Sequence, residues 1–292
     1  MARLDELNGY QADSFALMIA SGNEKGGVVS SEYDDELNTA TRAAEEAGRI
    51  IRTLFKGKFD VHEKSKNNPV TSADIEANHK IREIIQGRFP DDGWLSEEDQ
   101  DDTRRLQSSR VWIVDPIDGT KEFIEGVPQF AVSIGLVEDG RPKVGVVYNP
   151  VENRLYQAAA GEGARLNGER IFVNSRQNIQ GALLLVSRSE PLRKFQVFVD
   201  LCEIQSVGSI AFRLAKVGGG EGDGTLTFRN IHEWDICAGA LIVEEAGGKV
   251  IDGSGKALLF NGRDAKYHGI VAANQELADG LQALVAQVLT SK

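Results

Sequence analysis

Leu37, Ala40, Ala44, Ala47, Ile51 and Leu54 recur at alternating steps of three and four, the period of an amphipathic helix several turns long. A second helical stripe, Ile75, Ile81, Ile84 and Ile85, follows Thr71 and Ser72 at the N-cap position and ends near Gly87 and Pro90. Lys64 to Pro69, between the two, is predicted as a polar loop. Val111-Trp112-Ile113-Val114 is a continuous apolar run bounded by polar residues, which predicts a buried strand with Asp115 at its C-terminal end. Phe130 to Val137 and Val144 to Tyr148 read as strands joined by Asp139-Gly140, a hairpin signal. Leu155 to Ala159 and Arg170 to Val173 are predicted as further strands.

From Leu183 the chain alternates between strands and helices. Leu183 to Val186 is a predicted strand, Leu192 to Leu201 and Ile210 to Val217 predicted helices, and Thr225 to Phe228 a strand. Asp235 to Ala246 reads as a helix ended by Gly247-Gly248. Strands near Val250 and at 269–273 and a last helix through Leu289 complete an α/β chain. The pattern predicts a weakly structured lead-in at 1–32, an N-terminal α+β half at 33–180 and a C-terminal α/β half at 181–292.

Composition narrows the function classes. The 292 residues carry 33 basic and 44 acidic side chains, a net charge of -11, so no basic excess exists to bind nucleic acid or an anionic membrane. A small anionic substrate stays open, because divalent cations can invert the sign of an acidic cleft. Cys202 and Cys237 form no CxxC pattern and the four histidines no HxxxH pattern, which argues against a thiolate or histidine-rich metal centre and fits a reducing cytoplasm. No apolar run approaches the roughly 20 residues of a membrane span.

The candidate chemistry lies in carboxylates. Asp115-Pro116-Ile117-Asp118-Gly119-Thr120 starts at the end of a predicted strand, and Pro116 forces a sharp turn there. Two carboxylates and the Ile117 carbonyl make an oxygen-only donor set, which suits Mg²⁺ better than zinc or copper. Lys121 to Ile124 is predicted as a short helix, whose start would offer unpaired N–H groups of Gly119 and Thr120 to a phosphate. Glu97-Glu98 and Trp234-Asp235 are two further acidic segments. Taken singly, each reads as easily as a common turn, a solvated surface or a helix-start acid.

Taken together, Glu97-Glu98, Asp115 to Thr120, Trp234-Asp235 and Glu245-Ala246-Gly247-Gly248 resemble, in order, the signature of the inositol monophosphatase superfamily. Pro69 to Asp74 matches another segment of that family, and the resemblance runs from about residue 35 to the C-terminus. It implies a layered αβαβα sandwich and hydrolysis of a phosphomonoester by metal-activated water, without a covalent phosphoenzyme. It further implies that Glu97, Asp115, Asp118, Asp235 and the Ile117 carbonyl hold two or three Mg²⁺ ions. Gly119 and Thr120 would bind phosphate, Asp74 and Thr120 would orient the attacking water, and Glu98 would assist. Sensitivity to lithium is expected too, and dimers are common in the family.

The substrate is less legible. Lys121-Glu122-Phe123 after the Asp-Gly-Thr, and the Ser187-Arg188-Ser189 loop, resemble the 3'(2'),5'-bisphosphate nucleotidase branch, with 3'-phosphoadenosine 5'-phosphate as substrate. Lys121, Ser187 and Arg213 are then expected at the substrate, Arg213 gripping a second phosphate. Two residues depart from the templates: Glu190 stands where that branch has His, and Thr227 close to where inositol phosphatases have Glu. Inositol monophosphatase is the second expectation, histidinol-phosphate or fructose-1,6-bisphosphate hydrolysis the third. A non-catalytic metal- and phosphate-binding protein is the alternative of another class. Gly218 to Gly224 lacks the Gly-Lys-Ser/Thr ending of a phosphate loop and is expected to be a mobile helix-to-strand connection.

Overall fold

The stripe of alanines becomes helix α1 (Asp34–Leu54), with Ala40, Ala43, Ala44, Ala47 and Ile51 buried and Asp34 and Asp35 in the first turn, where the helix dipole favours acids. The computed structural model describes residues 32–65 and 68–290, so the expected lead-in lies, except for Glu32, outside the described residues. Strands β1 (Val61–Ser65) and β2 (Asn68–Thr71) pair antiparallel, so Lys64, Ser65, Asn68 and Pro69, expected in a loop, belong to paired strands. Val61 to Lys64 are exposed and leave no hydrophobic period to read; the backbone ladder alone pairs them. Helix α2 (Ser72–Arg88) opens with a reciprocal cap, Thr71 bonding the Asp74 amide while the Asp74 carboxylate accepts the Thr71 amide.

Next come β3 (Gly93–Ser96), β4 (Arg110–Asp118), helix α3 (Thr120–Ile124), β5 (Ala131–Glu138), β6 (Arg141–Asn149), β7 (Arg154–Ala159), β8 (Gly163–Leu166) and β9 (Glu169–Ile171). These strands form a seven-stranded sheet in chain order, parallel at β3–β4 and antiparallel after it. The chain continues with β10 (Leu183–Ser187), α4 (Gln196–Val199), β11 (Glu203–Val207), α5 (Ile210–Gly218), β12 (Gly224–His232), α6 (Glu233–Glu245), β13 (Gly248–Asp252), β14 (Lys266–Asn274) and α7 (Gln275–Thr290). The second sheet has the order β11-β10-β12-β14-β13. The helix expected over 192–201 is a 3₁₀ turn, Leu192–Phe195, followed by the single turn of α4. Leu192, Val197 and Val199 are exposed there while Phe195 and Phe198 are buried, so its apolar residues lie on no one helical face.

Helices and sheets stack as five layers: α1 with α2, the seven-stranded sheet, α5 with α6, the five-stranded sheet, and α7 with α4. Three apolar clusters fill the spaces between them, and the one around α5 and α6 draws on both sheets. Helix α6 is apolar on all sides and carries Ala238, Gly239 and Ala240, so it seats very close to the first sheet. A Cβ on Gly145 would lie 2.6 Å from the Ala238 carbonyl. Among the described residues, no helix is long and apolar enough to cross a membrane.

The glycine-rich connection from α5 to β12 is pinned, which corrects the expectation of mobility. Glu221 pairs with Arg154 and Lys216, and Asp223 accepts the Leu183 amide and pairs with Arg176.

Candidate active site

Two residues three apart on a regular strand face opposite ways. Strand β4 escapes this because Asp115 faces Ser133 and Asp118 faces Ala131, two intervening residues against one on β5. Pro116 and Ile117 form that bulge, and the missing proline N–H leaves no ladder bond unmade. The extra residue brings Asp118 back to the side of Asp115. Asp115 accepts the Ile117 amide at 2.9 Å, which tightens the turn. Gly119 then takes φ +101°, the left-handed region that favours glycine, and Thr120 begins α3.

Other elements deliver the remaining carboxylates. Glu97 follows β3, its amide bonded to the Val114 carbonyl, and Ser96 ties that turn to Asn78 of α2 at 2.7 Å. Asp235 sits in the first turn of α6 and accepts the His232 amide at 2.8 Å. One carboxylate oxygen each from Glu97, Asp115 and Asp235 lie within 4.8 Å of one another. Asp118 stands beside them and accepts Ser209 Oγ at 2.6 Å and the Ala211 amide at 2.7 Å. Asp74 accepts the Thr71 amide and hydroxyl on one oxygen and Thr120 Oγ1 on the other at 3.1 Å. The Thr120 hydroxyl also lies 3.2 Å from the Ile117 carbonyl oxygen.

So much negative charge in one buried place is costly. Burial, followed by repulsion from Glu97, Asp118 and Asp235, pushes the Asp115 carboxyl well above the usual range. Asp235 is raised well above it by burial and by Asp118 and Glu97. Burial lifts Asp74 to about 6 against the hydrogen bonds from Thr71 and Thr120. Burial and Glu97 lift Glu98 to about 7. A hard divalent cation answers this donor set: all donors are oxygens, and the uncompensated charge is negative. Ligand oxygens around Mg²⁺ at about 2.1 Å stand about 3–4 Å apart, so a spread within 4.8 Å closes with small side-chain movements.

The cluster floors a cleft of about 640 Å³ lined also by Gly119, Thr120, Lys121, Ser187 and Arg213. Every expected site residue except Asp74 and Glu98 lines it. Asp74 reaches it through Thr120, and Glu98 through Lys64, whose ammonium lies 2.8 Å from Glu97 and 2.9 Å from Glu98. Arg213 is placed differently from expectation. It is buried, with Nη1 bonded to the Val207 carbonyl at 2.9 Å and Nε to Thr225 at 3.3 Å.

Four residues of the site went unread in the sequence. Lys64 bridges the Glu97-Glu98 pair from the β1–β2 hairpin. Ser209 is the N-cap of α5, and its Ser-x-x-Phe setting before an apolar helix was the one local signal available. Arg229 and His232 line the cleft from β12, His232 stacked on Trp234 at 4.3 Å. Their positions depend on a strand register that no short pattern reveals.

The chain is similar to known proteins over most of its length. The model of the inositol monophosphatase family matches residues 32–290. The Nus factor SuhB of Pasteurella multocida is 36% identical over 230 residues, covering 75% of this chain and 85% of that protein. An inositol monophosphatase of Mesembryanthemum crystallinum is 36% identical over 236 residues, covering 76% and 87%. Among solved structures, an IMPase from Thermotoga maritima has TM-score 0.79 at 32% identity, covering 88% of this chain and 99% of that one. The extragenic suppressor protein suhB from Bartonella henselae has TM-score 0.78 at 30% identity, covering 86% and 98%.

Proposed function

We propose that this chain, which belongs to the inositol monophosphatase family, is a Mg²⁺-dependent phosphomonoesterase acting on the phosphate ester of a small hydroxylated alcohol. The observation that carries this reading is the meeting of Glu97, Asp115 and Asp235 within 4.8 Å, beside Asp118 and the start of α3. Glu97, Asp115, Asp118, Asp235 and the Ile117 carbonyl would hold the ions. When bound, the metals supply water activation and leaving-oxygen stabilisation in an in-line displacement.

The chain's own residues do the rest. Gly119 and Thr120 offer first-turn amides to the phosphate oxygens. Asp74 accepts the Thr120 hydroxyl, which fixes that rotor and leaves its oxygen lone pair to take a hydrogen bond from the attacking water. Burial raises Asp74 toward neutrality, so it can take up the proton released on attack.

The bisphosphate expectation leaned on Arg213 as the second grip. With Nε and Nη1 turned onto its own chain, Arg213 supports the cleft wall instead, and inositol-type monophosphates rise beside nucleotide bisphosphates as candidates. A non-catalytic role is the second reading, favoured by relatives that carry the name Nus factor SuhB. The deciding experiment is phosphate release with Mg²⁺ from inositol 1-phosphate, 3'-phosphoadenosine 5'-phosphate, histidinol phosphate and fructose 1,6-bisphosphate. Release from none of them, or from a broader phosphomonoester set, would leave only the non-catalytic reading.

A further inference from the structure

Strand β12 carries a second bulge at the cleft. Thr227 faces Ile270 and Asn230 faces His268, two intervening residues against one on β14. Such a bulge re-aims side chains. Phe228 turns into the outer core, 5.6 Å from Phe195 and 6.3 Å from Phe198 between ring centroids. Arg229, next along the chain, is exposed and lines the cleft.

The bulge is held by two residues that each depart from one family template, Glu190 from the nucleotidase one and Thr227 from the inositol phosphatase one. Glu190 accepts the Thr227 hydroxyl, and its other oxygen lies 3.3 Å from the Phe228 amide. Thr227 Oγ1 in turn accepts the Arg229 amide at 3.2 Å. Glu190 is buried and has Lys194 at 3.7 Å. Glu190 is thus engaged by a hydroxyl, an amide and a lysine, and not by Arg229.

Among the described residues, the Arg229 guanidinium has no carboxylate within ion-pair distance and no hydrogen-bond partner. It lies near enough to Asp235 and Arg213 for its charge to act on both. A guanidinium is a planar fork of donors that matches a phosphate bidentately. Ser187, Ser189 and Asn230 line the same cleft.

We propose that Arg229 is the specificity-determining residue of the cleft and binds a second phosphate carried by the leaving alcohol. Glu190 and Thr227 act as positioning residues that aim it through the bulge. This rests on the phosphomonoesterase reading for the first phosphate and adds the chemistry of the other end of the substrate.

The test compares matched pairs: 3'-phosphoadenosine 5'-phosphate with adenosine 3'-phosphate, and fructose 1,6-bisphosphate with fructose 1-phosphate. The wild type is expected to favour the bisphosphate of at least one pair, through KM. Arg229→Ala should raise KM for that bisphosphate about 10- to 100-fold more than for its monophosphate, Arg229→Lys should recover part of the loss, and Thr227→Val should show a smaller loss of the same kind. No preference in the wild type, or equal losses on both members of a pair, overturns the assignment. Should no ester be hydrolysed at all, the phosphomonoesterase reading falls separately. Calorimetric binding of the same pairs to wild type and Arg229→Ala then decides the arginine's role, equal affinities overturning it.

Discussion

Ser209 donates a 2.6 Å hydrogen bond to Asp118 Oδ2 across 91 residues of chain, and the Ala211 amide reaches the same oxygen at 2.7 Å. The end of a strand in the first sheet is thereby fastened to the N-terminus of α5 in the next layer. Oδ2 is fixed by these bonds, and the carboxylate orientation is set before any ligand binds. Asp118→Asn should therefore lower kcat by about 10²–10³-fold at saturating Mg²⁺ while leaving the melting temperature within a few degrees. Near-native turnover in that variant would remove Asp118 from the ligand set.

Ser209 is also the N-cap of α5, accepting the Phe212 amide at 2.9 Å. Ser209→Ala should cost about 1 kcal/mol, read as a fall of about 2–4 °C in thermal denaturation. Activity should fall less than in Asp118→Asn.

The metal-free chain should lose stability as pH rises. Asp74 and Glu98 have folded pKa values of about 6 and about 7, above the roughly 4 of unfolded carboxyls. Between these limits the folded state holds protons that the unfolded state has released, so the stability slope with pH is negative from about pH 4 to 7. Denaturation in EDTA at pH 5 and pH 7.5 checks the sign; greater stability at pH 7.5 would contradict it.

Repulsion within the cluster predicts opposite effects of one substitution. Asp235→Asn removes a half-buried carboxylate whose charged form is disfavoured by desolvation and by Asp118 and Glu97, so the metal-free protein should melt higher than wild type. Wild type should gain about 2.7 kcal/mol at Mg²⁺ 100-fold above Kd, and the variant much less at the same concentration. Equal Mg²⁺ shifts in both proteins would take Asp235 out of the site.

Arg213→Ala should act on stability before selectivity. The guanidinium is buried and bonds Val207 and Thr225, so its removal leaves those groups unpaired and opens a void. A loss of about 2–4 kcal/mol in urea denaturation is expected. Affinities for mono- and bisphosphates should fall together.

Gly145→Ala tests the seating of α6. The added Cβ would meet the Ala238 carbonyl at 2.6 Å, so the helix that carries Asp235 must shift. A loss of about 1–3 kcal/mol is expected, together with weaker Mg²⁺ binding. Unchanged stability would show that this contact can relax freely.

The sequence by itself determined the helices α1, α2 and α6 and the sharp turn from Asp115 to Thr120. Each depends on forces acting within a few residues: a three-four stripe, a Thr71–Asp74 cap, a proline without an N–H and a glycine at positive φ. The layered α/β fold was accessible through the resemblance, because its motifs preserve those local features in order. Tertiary structure alone decided that the two-residue bulge turns Asp118 toward Asp115, that Lys64 bridges Glu97 and Glu98, and that Arg213 is buried in the cleft wall while Arg229 is exposed at it. Those placements follow from strand register and layer stacking, where one residue of slip reverses a side chain's face. Partners up to 91 residues apart leave no mark within a short window of sequence.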